Sequence, residues 1–311
     1  MAINWFPGHM HKARKEIADI MAQVDVVIEV LDARIPFSSE NPLIPSLRGD
    51  KPCLKLLNKA DLADPAMTQR WIAHLEREQG VTAIPVSQSQ PEGIRALLDR
   101  IQALVSDRNV SARHVQALIM GIPNVGKSTL INILAGRRIA RTGNEAGVTK
   151  SQQRIKLDNR IVLTDTPGFL WPKLTPPSCG FRLAATGAIK EKVFDYPEVA
   201  LFTVHYLATH YPEALKGRYG LVDLPEDDLG QLEAVGRARG AMRRGGQVDL
   251  EKVSALLITE LRGGQLGTIT LETPEMTERE TLEAKAEEEK RKAEKEERTR
   301  LRRQRARKNR R

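Results

Sequence analysis

Nine residues, Gly121–Thr129 (GIPNVGKST), constrain this 311-residue chain more than any other stretch. They stand between two apolar runs, HVQALIM and LINILAG. The spacing G-x-x-x-x-G-K-[ST] in that setting predicts a strand, a tight loop and a helix. Gly121 and Gly126 let the backbone turn so that successive N–H groups point at one phosphate. Lys127 supplies a mobile cation for β- and γ-phosphates, and Ser128 a hydroxyl for Mg²⁺. The helix that starts there adds the positive end of its dipole.

The rest of the chain alternates strands and helices around that loop. Val24–Leu31 (VDVVIEVL) reads as a buried parallel strand that ends in the loop Asp32–Pro36. A short helix is expected near 42–47, and Lys51–Leu57 is the next strand. An amphipathic helix over 66–79 turns Trp71 to the core. Val81–Val86 is a third strand, and 94–105 a second amphipathic helix. After the phosphate loop and a polar stretch, Gln152–Leu157 and Arg160–Leu163 form a hairpin turning at Asp158-Asn159. This alternation predicts a doubly wound, mostly parallel α/β sheet with ligand loops at the carboxyl ends of its strands. From about 175 helical patterns take over: 182–192, 197–209, 225–243 and 249–262. They read as a small α-helical second domain. It is locally basic at 217–220 (GRYG) and 237–244 (RARGAMRR), which an ordinary solvated helix face would also explain.

Two further loops carry chemistry. Asn58-Lys59-Ala60-Asp61 has the form N-K-x-D at a strand end. Asp61 can accept from the ring and exocyclic N–H groups of guanine, a donor pair that adenine lacks. Asn58 can reach the guanine carbonyl side, and the Lys59 stem can cover the ring face. A buried carboxylate left unpartnered costs several kcal/mol, roughly, so ATP should be rejected. Ser87-Gln88 ends the following strand, where a backbone N–H can close over the guanine carbonyl. Asp165-Thr-Pro-Gly168 has the form D-x-x-G. Asp165 can hold Mg²⁺ through water, and the Gly168 N–H can bond the γ-phosphate. Thr149 is the expected second hydroxyl on Mg²⁺, with Thr142 as a competitor. The nucleotide contacts from the phosphate loop are expected from Asn124, Val125, Gly126, Lys127, Ser128 and Thr129.

Charge and cysteine usage bound the setting. The net charge is +9, yet residues 298–311 (RTRLRRQRARKNRR) hold nine Lys/Arg and no acid. Removing those nine from 49 basic residues leaves 40 against 40 acids, so the excess belongs to the last fourteen residues and implies a polyanion partner there. No apolar run reaches the roughly 18 residues that span a bilayer, and the start has no signal-peptide core. No membrane role is expected. Cys53 and Cys179 have no metal spacing and read as reduced thiols of a cytoplasmic protein.

These loops resemble those of translation-factor-type GTPases, but N-K-x-D and the Ser loop precede the phosphate loop. The order is circularly permuted. The start WFPGHMHKA with NKAD, GIPNVGKST, GVTK and DTPG resembles the ribosome-biogenesis GTPase A (YlqF) family over about residues 1–220. The family acts late in assembly of the large ribosomal subunit, and its helical domain is thought to touch rRNA. The resemblance implies a circularly permuted GTPase domain over 1–174 and an α-helical RNA- or ribosome-contacting domain over 175–274. A charged basic tail over 275–311 would be disordered or a solvated helix. It implies a GTP/GDP-binding monomer with Mg²⁺, slow alone and stimulated by the ribosome. The tail is not a family feature, and Ala146 replaces a proline common in such loops.

Permutation has a mechanical consequence. The segment after D-x-x-G feeds the helical domain, so a γ-phosphate contact at Gly168 should change domain orientation. Phe169 and Leu170 stand where many GTPases place a water-orienting Gln. His9, on a helix expected over 9–22, is the candidate substitute; its alternative is capping that helix. Asn124 resembles the phosphate-loop Asn of K⁺-dependent GTPases, whose carbonyl helps hold a monovalent cation. Two other readings remain open: an rRNA-binding placeholder gated by GTP, and a GTPase acting on tRNA or the small subunit.

Overall fold

The computed structural model describes residues 18–106, 113–139, 153–158, 160–166 and 174–308. Its six strands are β1 Val26–Asp32, β2 Cys53–Asn58, β3 Val81–Pro85, β4 Val115–Gly121, β5 Gln153–Lys156 and β6 Ile161–Asp165. They form one sheet in the order β3-β2-β1-β4-β6-β5. β5 and β6 are the antiparallel hairpin; the other neighbours run parallel. The chain moves outward from β1 through β2 to β3, then returns to place β4 on the other side of β1. The reversal puts a crevice at the carboxyl ends of β1 and β4.

Parallel strands with both faces covered read as apolar runs, and every residue of β1 and β2 is buried. The helices that cover this sheet are α1 Pro36–Ser39, α2 Ile44–Arg48, α3 Pro65–Leu75, α4 Pro91–Arg95, α5 Leu97–Ala103 and α6 Lys127–Leu134. α3 shows how sequence fixes a helix start. Asp64 accepts from the Ala66 and Met67 N–H groups, and Pro65 takes the first turn, where no N–H is needed. Trp71 is fully buried, as expected.

One face of the sheet packs Val26, Ile28, Val30, Leu54, Leu56 and Ile119 into a core shared with the helices beyond residue 174. The other face holds two separate clusters, one around Met21, Val27 and Cys53, the other around Leu31, Leu57 and Trp71. Glu29 and Lys55, side by side in register, divide them. The Lys55 ammonium pairs with Glu40 and lies 3.9 Å from Glu29 Oε2. The Asn41 N–H donates to Glu29 Oε1 at 2.7 Å. Burial, with Glu40 adding to it, pushes the Glu29 carboxyl up to about 8 against the pull of Lys55.

The remaining helices are α7 Ser178–Ala185, α8 Tyr196–His210, α9 Pro212–Tyr219, α10 Asp228–Ala238, α11 Leu250–Arg262 and α12 Pro274–Lys308. Several differ from the sequence reading. The helix expected over 94–105 is broken into α4 and α5. α9, opened by Pro212, was not anticipated. The helix expected over 225–243 stops at Ala238, because Gly240 adopts φ +65°. Of the two alternatives expected for the charged tail, the structure has the solvated helix: α12 is one continuous helix. Its Glu, Lys and Arg favour helix, with pairs such as Glu288–Lys292 one turn apart at 3.3 Å. Of the helix expected over 9–22, residues 18–21 are helical and 22 is a turn, while 9–17 lie outside the described residues.

Between α11 and α12 the chain returns across the loops that follow β1 and β2. The Ile269 N–H donates to Leu62 O at 3.0 Å and the Leu271 N–H to Arg34 O at 2.8 Å. Trp71 Nε1 donates to Glu272 O at 3.1 Å.

Candidate functional site

The three loops singled out by pattern meet at the crevice. Gly126 adopts φ +95°, and a Cβ there would lie 2.3 Å from Asn58 Nδ2 and 2.4 Å from Gln88 Nε2. Only glycine fits, because side chains from after β2 and β3 press on the phosphate loop. Gly121 is equally close-packed: a Cβ would stand 2.7 Å from Val30 O. The Thr129 and Leu130 N–H groups donate to Gly126 O at 3.1 Å, which closes the first turn of α6 from Lys127 and Ser128 onward.

Asn58 has a different partner from the one expected. It is fully buried, and its Nδ2 donates to Val125 O at 2.6 Å, tying the N-K-x-D strand to the phosphate loop. Its Oδ1 is buried without a partner. Lys59 adopts φ +59°, and its Nζ donates to Asp32 Oδ2 at 2.8 Å and to Asn124 O at 2.9 Å. Ala60–Leu62 is a single 3-10 turn, held to the end of β3 by the Ala60 N–H donating to Val86 O at 3.1 Å. Asp61 projects from this turn, exposed, and accepts from Ser87 Oγ at 2.7 Å.

Asn124 adopts φ +58°, and its Nδ2 donates to Gly187 O at 2.9 Å. Its main-chain carbonyl already faces the Lys59 ammonium. A positive group therefore stands where the monovalent cation was expected, and the geometry gives K⁺ no support.

Lys127 and Asp165 form a buried ion pair. Burial lowers the Lys127 ammonium and raises the Asp165 carboxyl, each opposed by its partner. Asp165 Oδ2 is buried without a partner. Among the described residues no three His, Cys, Asp or Glu side chains converge as a metal site. A cation held by one carboxylate, one hydroxyl and a ligand's phosphates suits Mg²⁺, which keeps several non-protein oxygens. Asp165 with its free oxygen, and Ser128 at the start of α6, fit that group. His9, Thr149 and Gly168, like Thr142, lie outside the described residues.

The sequence reading missed Asp32 and Arg34, which it treated as a plain loop. Arg34 donates to Asp32 through Nε at 2.9 Å and Nη2 at 2.7 Å. Burial would raise the Asp32 carboxyl, but Arg34 and then Lys59 outweigh it and hold it well below the carboxylate range. The available signal was position: Asp-Ala-Arg closes β1, the strand that borders the crevice.

The site also grips the helical region. The last carbonyls of a helix have no partners within it. At the end of α7, Arg262 donates to Ala184 O at 2.9 Å and to Ala185 O at 3.1 Å. Arg34 Nη2 donates to Thr186 O at 3.4 Å, and Asn124 takes Gly187 O. The cap is thus shared by the phosphate loop, the loop after β1 and α11.

Comparison with known proteins identifies this arrangement. A family model described as 50S ribosome-binding GTPase matches residues 116–204. Ribosome biogenesis GTPase A of Bacillus cereus is 46% identical over 282 residues, covering 88% of this chain and 95% of its own. The chain belongs to the ribosome biogenesis GTPase A family. The Priestia megaterium member is 42% identical over 287 residues, 90% of this chain and 99% of its own. The GDP-bound structure of the Thermotoga maritima member, YlqF, superposes with a TM-score of 0.60 at 28% identity, covering 84% of this chain and 99% of that one. As a member of this family the chain is a GTP-binding, GTP-hydrolysing protein of ribosome biogenesis, with the motifs in permuted order. No described helix is long and apolar enough to cross a membrane.

Proposed function

We propose that this GTPase is a nucleotide-controlled switch that binds the precursor of the large ribosomal subunit in the cytoplasm and promotes its late assembly. The observation that carries the reading is the shared cap on α7. Asn124, at the phosphate loop, and Arg34, beside Lys59, hold the same helix end that Arg262 holds from the helical side. A shift of the phosphate loop between nucleotide states therefore changes the support of the helical region, and with it the surface offered to rRNA.

The roles follow from chemistry and position. Asp61, steadied by Ser87, reads the guanine donors. Lys59 covers the base with its stem, its head fixed by Asp32 and Asn124. Asn58 and Gln88 brace the loop against the base side, and the N–H groups of Val125–Thr129 cradle phosphate. On nucleotide binding Lys127 exchanges Asp165 for the β- and γ-phosphates. That exchange leaves Asp165, with Ser128 and Thr149, to hold Mg²⁺, whose charge would stabilise the phosphates. Gly168 donates its N–H to the γ-phosphate, and His9 orients the attacking water.

Co-sedimentation with large-subunit precursors tests the reading. Binding should be at least tenfold tighter with a non-hydrolysable GTP analogue than with GDP. Equal binding in both states would remove the switch. Asp61→Asn should exchange guanine for xanthine preference, since an amide donates where the carboxylate accepted; unchanged preference would remove Asp61 from base recognition.

A further inference from the structure

Among the described residues, the contacts that fasten helix α12 lie at its start. Thr277 is buried, and Met276 packs against the main core. Glu275 pairs with Arg70 of α3 at 2.7 Å. Glu280 accepts from Ser178 Oγ at 2.6 Å and from Arg182 Nη2 at 2.7 Å, both on α7. From 289 to 300 every residue is exposed. At a rise of about 1.5 Å per residue, Arg298 lies about 27 Å and Lys308 about 42 Å beyond Glu280 along the axis.

Composition changes along this rod. Residues 283–297 carry seven acids and five bases, four of the bases being lysine. Residues 298–311 carry eight arginines, one lysine and no acid. The first stretch suits a solvated helix laced by side-chain pairs. The second suits phosphate, because the guanidinium fork bonds phosphate oxygens two at a time. Leu301 is the one large apolar residue between 283 and 308, so no apolar stripe exists for a bilayer to bury. The net negative spacer repels a polyanion from the shaft and leaves it to the end.

We propose that α12 is a rigid arm that carries an arginine-rich head to the phosphate backbone of structured RNA, well away from the nucleotide site. The choice of RNA rests on the ribosome-assembly reading. The arm binds by charge rather than base sequence, and it sets a fixed distance between the GTPase body and a second RNA site.

The test compares the full chain with two variants. One replaces Arg298, Arg300, Arg302, Arg303, Arg305 and Arg307 with Gln. The other replaces Glu289–Lys292 with a Gly-Pro-Gly-Gly hinge. With a fluorescent RNA duplex as probe, the six-site variant should bind at least tenfold weaker in 0.1 M KCl, and its log–log salt slope should be shallower by roughly 3 to 5. Unchanged affinity and slope would overturn the proposal. So would anionic lipid vesicles, or polyglutamate of matched charge, displacing the duplex as well as unlabelled RNA does. The hinge variant should keep duplex affinity yet bind large-subunit precursors at least fivefold weaker; full binding would overturn the rigid arm. GTP turnover of the free protein should be the same in all three. If none sediments with precursors, the ribosomal reading fails, while the duplex measurement still judges the arm.

Discussion

The sheet buries charge in two places. Halfway along β1 and β2, Glu29 and Lys55 are closed in on every side, with Glu40 pairing Lys55 from the partly exposed α1–α2 connection. At the strand ends, Asp32, Arg34, Lys59, Lys127 and Asp165 form a second group just as deep in the protein. The ingredients are the same, but the partners differ. The middle group is held within the sheet and the α1–α2 connection, with Glu29 Oε2 buried without a hydrogen bond 3.9 Å from the Lys55 ammonium, and it divides the core of one face. The end group bridges loops from different strands, and there too a carboxylate oxygen, Asp165 Oδ2, is buried without a hydrogen bond. Placement relative to the strand end separates charge that specifies packing from charge that awaits a ligand.

Substitutions should separate the two groups. Lys127→Ala removes a cation aimed at transferring phosphate, so GTP turnover should fall by about 10²–10³, with a smaller change in unfolding free energy. Lys55→Ala leaves the buried Glu29 and the partly exposed Glu40 without their cation and should cost about 3–5 kcal/mol of stability, while folded molecules keep their GTP affinity. Denaturant titration and calorimetry on both variants check this; if Lys55→Ala selectively weakens GTP, the division between the groups is wrong. Gly126→Ala forces a Cβ into Asn58 and Gln88 in left-handed backbone. It should weaken GTP roughly 10- to 100-fold through about 1–3 kcal/mol of strain. Asn124→Ala removes one of the shared bonds on α7, worth about 0.5–1.5 kcal/mol. Amide exchange around 184–188 should speed up with little loss of GTP; no change there would mean Arg34 and Arg262 suffice.

Another test uses pH. The Glu29 carboxyl is raised by burial, so the folded chain holds that proton more tightly than the unfolded chain. Stability from this site is fully present below the ordinary value of 4.5 and is lost as pH rises toward about 8. Glu29→Gln should flatten melting temperature between pH 5 and 8. An equal slope in both proteins would show that Glu29 is ionised throughout.

How much of this could be read from the sequence follows the same division. Loops that must present fixed chemistry to a nucleotide spell themselves out: Gly126, Lys127, Asp61 and Asp165 are recognisable because few other residues could stand there. The mostly parallel sheet and its one antiparallel hairpin followed from the alternation of strand and helix patterns, but the strand order did not. Partnerships did not follow. Asn58 bonding Val125, Lys59 bonding Asp32, and Glu29 opposing Lys55 depend on register between strands distant in sequence, which periodicity does not encode. The state of the tail stayed open between helix and disorder because a charged helix without an apolar stripe looks the same as a disordered tail. Its first turns are ordered by Arg70 and Arg182, about one hundred residues or more away in the chain.

In the function proposed here, loops threaded in permuted order build one pocket for a magnesium-bound guanine nucleotide. Calorimetric titration of the full chain with GTP and with ATP, each with Mg²⁺, tests it most directly. One GTP site per chain is expected, with ATP binding at least about 100-fold weaker and the GTP preference lost in Asp61→Ala. Equal binding of the two nucleotides, or a preference that survives Asp61→Ala, would contradict it.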